Sequence, residues 1–111
     1  MKIKTSELAG PALDWAVAKC FPADEFLFDP APYLPDENGE PKYFYPSTHW
    51  QDGGPIIEQE GLSVQPAPDP HHWLAASSVT SAVGPHPLVA AMRCYVAAKL
   101  GNEVAVPQEL A

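Results

Sequence analysis

Fourteen of the 111 residues are proline, against an average usage of about 5%, and this limits the chain more than any other property. Each proline fixes φ and removes a backbone donor, so it suits a first helical turn, an edge strand or a turn but not an element interior. The clusters from Pro22 to Pro46 and from Pro66 to Pro70 therefore read as irregular connections or edges. Regular elements belong where prolines are sparse. The length fits one domain over residues 1–111, with room for one core.

Two segments carry helical periodicity. Leu13, Ala16, Val17 and Cys20 recur at helical spacing behind Gly10 as N-cap and Pro11 in the first turn, which predicts a helix from Pro11 to Cys20. Leu88, Ala91, Met92, Tyr95, Val96 and Leu100 form a second apolar stripe, with Pro87 at its start and Gly101 just past its end. Strand patterns are shorter. Met1–Thr5 and Glu103–Pro107 alternate, Leu62–Gln65 and His72–Ser77 flank a proline turn, and Asn38-Gly39 is placed to close a hairpin between Phe26–Leu34 and Lys42–Tyr45. The expected architecture is α+β, with two helices packed on a small antiparallel sheet and long proline-rich loops.

Six basic against 14 acidic residues give a net charge of −8, which repels a phosphate backbone and argues against direct nucleic-acid binding. Such a balance suits a basic protein partner or a small ligand. The N-terminal residues lack the apolar stretch of a signal peptide and no run is long enough to cross a membrane, so a cytoplasmic location with reduced Cys20 and Cys94 is expected. His49, His71, His72 and His86 lack the spacing of a metal site, and no cofactor is expected.

The chemistry concentrates in Tyr45–Glu58, which holds aromatic, hydroxyl, imidazole and carboxylate groups around a Gly-Gly pair. Glycines able to adopt positive φ let a loop mould itself around a ligand. Ser47, Thr48, His49, Trp50, Asp52, Gly53 and Gly54 are the candidate binding residues here, with Trp73 and Arg93 as candidate neighbours, and Pro55–Gln59 fits one helical turn. Ser47, His49 and Asp52 supply the residue types of a hydrolytic triad, but local crowding and the absence of a Gly-x-Ser-x-Gly elbow argue against it. Gly53-Gly54-Pro55 lacks the lysine of a phosphate loop and reads as a tight turn. Trp15 and Trp73 read as core residues, whereas Trp50 lies in the glycine-rich segment.

Leu8-Ala-Gly10, Ala12–Lys19, Tyr45–Thr48 with Trp50, Gly53–Glu58, Trp73 with Ala75, and Pro87–Gly101 with Glu103-Val104 occur together in one order. In that combination the chain resembles the NinX-like family of lambdoid and related phages, whose function is not established. His86 stands where the resemblance leads us to expect Thr before Pro-Leu, which removes a hydroxyl cap from the last helix. The resemblance implies a small phage accessory protein in an infected bacterial host, acting by binding a small molecule or a host protein rather than by turnover. A hydrolase using His49, Asp52 or Glu58 and a structural homo-oligomer are the alternatives.

Overall fold

In the computed structural model, which describes residues Met1–Ala111, the fold is organised around its last helix, α3 (Pro87–Leu100). Pro87 occupies the first turn, where a missing N–H costs nothing, and Gly101 ends the helix at φ +92. Leu88, Ala91, Met92, Tyr95 and Val96 of the expected stripe are buried, and Ala90 and Cys94 are buried with them; Leu100, in the last turn, is exposed. A helix buried on so many sides belongs at the centre of a fold rather than on its surface. The missing hydroxyl cap is replaced, because His86 Nδ1 accepts a hydrogen bond from Leu88 N at 3.1 Å.

Two further helices pack on this one. The first, α1 (Gly10–Lys19), buries Leu13, Ala16 and Val17 as their spacing predicts, although Ala9 rather than Gly10 is its N-cap. The second, α2 (Trp50–Glu60), corrects the expectation of two helices and of a glycine-hinged loop. Gly53 and Gly54 have ordinary negative φ, and Pro55 lies inside the helix. An interior proline costs about 3 kcal/mol, so Gly-Gly-Pro reads locally as a turn. Burial of Ile56 and packing of α2 on α3 override that preference. Gly61 stops the helix in the left-handed region at φ +64.

The strands form three small antiparallel sheets instead of the one expected, and the fold is α+β with three helices. In the first, β1 (Lys2–Lys4) pairs with β8 (Glu103–Ala105), placing Ile3 opposite Val104. The pairing continues beyond the strands through reciprocal bonds between Met1 and Val106. The second contains β2 (Leu27–Phe28), β3 (Pro32–Pro35) and β4 (Pro41–Tyr43), with Tyr33 opposite Tyr43. Gly39 turns the β3–β4 connection at φ +81, where Asp36 Oδ1 accepts from Asn38 N and Glu40 N. The third contains β5 (Ser63–Pro66), β6 (Trp73–Ala76) and β7 (Ser81–Gly84), with Val64, Ala75 and Ala82 aligned across it.

Prolines in the sheets stand at strand ends, at Pro32, Pro35, Pro41 and Pro66, where a lost donor does least harm. The core joins Leu8, Leu13 and Val17 to Ile56, Ala75, Met92, Val96 and Val104. Beside it, Phe21 meets Phe26, Phe44 and Tyr95 edge-on, while Phe26 and Phe44 stack at 4.5 Å. These rings anchor the Phe21–Tyr45 stretch, which carries β2–β4, against α3, and so set the wall on which the candidate site is built. No helix is long and apolar enough to cross a membrane.

Candidate functional site

The segment before α2 is a turn tied down from three directions. His49 N donates to Tyr45 O at 2.8 Å, which closes the turn. Asp52, in the first turn of α2, reaches back so that its Oδ2 accepts from Tyr45 N at 2.9 Å. A carboxylate here is also favoured by the positive end of the helix dipole. The third tie crosses to α1: Ser47 N donates to Asp14 Oδ1 at 2.8 Å. The sequence between Tyr45 and Asp52 therefore forms a corner held by backbone bonds, which place its hydroxyls and the Asp52 carboxylate.

Asp14 is the residue that sequence reasoning missed. It is 5% exposed on a helix whose other buried residues are apolar. Burial pushes its carboxyl up to about 6, and the nearby Asp52 charge adds to the rise; the side chain and N–H of Ser47, and His49, pull the other way. Neither of the protein's two ion pairs involves it. Ser47, 1% exposed, has a hydroxyl oxygen without a partner in hydrogen-bonding geometry, although the side chain still favours the ionised form of Asp14. A lone acidic residue between Leu13 and Ala16 was the available signal, since charged residues are seldom buried unless paired.

Asp14 faces a cavity of about 480 Å³ whose walls include Asp29, Pro32, Tyr43, Tyr45 and Thr48. Tyr43 and Tyr45 are partly exposed, with ring centroids 6.4 Å apart. Tyr45 stacks on His49 at 5.0 Å, and His49 Nδ1 meets Thr48 Oγ1 at 3.0 Å. The result is a cleft with aromatic and proline walls and two carboxylates. Such a cleft favours a group that is cationic and flat or alkyl in character, through charge pairing and contact with the ring faces.

The other sequence candidates are distributed around this corner and beyond it. Thr48 lines the cleft, Ser47 lies behind it, and His49 and Asp52 brace it. Trp50 is 54% exposed at the start of α2, with its ring 6.2 Å from that of His86. Gly53 is wedged beneath Pro46 and against Leu88, whereas Gly54 borders a separate groove with Glu58. Trp73 begins β6 and packs on the core. Arg93 points elsewhere, into a second cavity shared with Lys4, and contributes nothing to the lining of the first. The Asp52 carboxylate bonds the Tyr45 backbone, and no side-chain hydrogen bond links it to the His49 ring.

No group of three or more His, Cys, Asp or Glu side chains is arranged to hold a metal ion. Cys20 and Cys94 are both free. His72 Nδ1 instead meets Asp69 Oδ2 at 2.7 Å on the exposed turn before β6. No curated protein matches the chain. A family model described as Bacteriophage P22, NinX matches residues 4–99.

Proposed function

From the premise that the chain belongs to the phage P22 NinX family, we propose that it acts by binding, with the Asp14 cleft receiving an amine or guanidinium group. The observation that carries this reading is Asp14 itself. A carboxyl held near 6 is mostly ionised at neutral pH, yet it has no cationic partner of its own. Keeping a buried charge unpaired costs stability, and an incoming cation removes that cost. Tyr43 and Tyr45 supply ring faces for the same group, and the net charge of −8 draws cations toward the protein.

The cationic group has two sources, a small organic amine or a lysine or arginine of a host protein. Calorimetric titration with putrescine, with methylguanidinium and with a lysine- and arginine-rich peptide separates them. Binding to an ionised Asp14 lowers its pKa, so near pH 6 each mole bound releases protons, a release read by repeating the titration in buffers of different ionisation enthalpy. Asp14→Asn is expected to weaken binding by about 2 kcal/mol or more, over tenfold. Equal binding by wild type and Asp14→Asn, or no heat with any of the three probes, rejects the proposal.

A further inference from the structure

The second cavity holds an unusual share of the protein's few cations. Of its six basic side chains, Lys19 lies over the rings of Trp15 and Phe28, and Lys99 pairs with Glu60. Lys4 and Arg93 instead line one cavity of about 500 Å³ between β7, the Thr5–Glu7 turn and the connection from α3 to β8. Arg93 is oriented by two carbonyls: Nε donates to Leu8 O at 2.8 Å and Nη1 to Val83 O at 3.0 Å. Its remaining nitrogen, Nη2, makes no hydrogen bond within the protein. The guanidinium is thus fixed in place and keeps donors to spare.

Further donors surround it. Ser6, Ser81 and Asn102 line the same cavity, and none of their side chains is hydrogen-bonded to another protein group. Thr5 is committed, its Oγ1 donating to Gly101 O at 2.6 Å, and so holds the turn in place. The backbone of β7 adds to the set. Antiparallel pairing alternates between bonded and non-bonded pairs, and Ser77 N bonded to Thr80 O sets the phase of the β6–β7 hairpin. The amides of Ser81 and Val83 therefore face away from β6, along the same open edge on which Val83 O meets Arg93. Glu103, opposite Lys4 in the β1–β8 register, is the one carboxylate in the lining.

We propose that this cavity is an oxyanion site, built for a phosphoryl or carboxylate group. Arg93 and Lys4 provide the charge, with outward β7 amides and the Ser6, Ser81 and Asn102 side chains as hydrogen-bond donors. The volume exceeds what a bare ion fills and falls in the range of small-ligand sites, so the anion is a substituent of a larger molecule. The site shares no lining residue with the Asp14 cleft. It stands whether or not that cleft binds a cation.

The test is a titration of the full chain, followed by amide and arginine side-chain NMR at constant ionic strength, with inorganic phosphate in one arm and acetate in the other. Saturable shifts are expected at the amides of Ser81 and Val83 and at Arg93 Nε; saturation by phosphate alone assigns a phosphoryl group, and saturation by acetate as well extends it to carboxylates. Lys4→Glu is expected to weaken binding about tenfold, while Lys42→Glu, the same charge change on exposed β4, leaves it within about twofold. Both side chains are exposed, so the comparison does not depend on a variant that fails to fold. The proposal is overturned if neither anion gives saturable shifts at these groups, or if the two lysine variants weaken binding equally.

Discussion

Gly53 and Gly54 are adjacent, both helical and both in α2, yet the same substitution should change stability by very different amounts. Alanine at Gly54 meets nothing within 4 Å beyond its chain neighbours. Losing a flexible residue gains the helix about 0.5–1 kcal/mol, and crowding of the new Cβ against the following Pro55 ring offsets part of that gain. Alanine at Gly53 receives the same gain but drives its Cβ into the Pro46 carbonyl oxygen and to 2.8 Å from Leu88 Cδ2. Leu88 and Pro46 are fully buried, and a backbone carbonyl has no rotamer by which to retreat. Overpacking of this kind costs about 1–3 kcal/mol or more. Gly53→Ala should therefore be destabilising overall, while Gly54→Ala is close to neutral. In thermal unfolding the two variants should separate by on the order of 10 °C, and urea unfolding should give the same order. If Gly53→Ala is as stable as Gly54→Ala, close approach is not what glycine serves at position 53.

Asp14 makes stability depend on pH in a defined direction. Its folded pKa of about 6 lies above the ordinary 3.8, so between these values the folded state holds a proton that the unfolded state has released. Stability should fall as pH rises through that window, by about 3 kcal/mol in all, and level off above it. Asp14→Asn should remove that portion of the slope in urea titrations, and an unchanged slope would contradict the assignment. Burial also pushes the Cys20 thiol up to about 12 and raises Cys94 above its usual value. A disulfide reagent at pH near 8 should label both slowly in the folded protein and quickly in urea, since the thiolate is the reactive form. Rapid labelling of native Cys94 would refute the burial argument.

The parts of the fold legible in sequence were those in which local pattern and tertiary environment agree. The α3 stripe, the Ile3 and Val104 strands, the Asn38-Gly39 turn and the pairing of the Leu62–Gln65 segment with His72–Ser77 all follow from periodicity or turn chemistry. The family motifs led in the same direction, and the family match spans residues 4–99. α2 was illegible because Gly53, Gly54 and Pro55 all disfavour helix locally, while the compensation lies in contacts with distant Pro46 and Leu88 and in burial of Ile56. β7 was illegible because Ser81-Ala-Val-Gly84 is too short to show alternation. The candidate site residues divided for a related reason. Thr48 lines the same cleft as Asp14, but Asp14 comes from a different helix, and Arg93 is held by Leu8 and Val83 on another surface.

The reciprocal bonds between Met1 and Val106 join residues 105 positions apart. Closing so long a loop brings a large entropic cost before any contact rewards it. The β1–β8 seam should consequently assemble after the β5–β6–β7 meander, whose partners are near in sequence. Fraying there also has a particular reach, because Lys4, Thr5, Asn102 and Glu103 all line the Arg93 cavity. The cavity is a product of ring closure: it exists only while both ends of this 106-residue span are held together, and a molecule lodged there would act as the clasp.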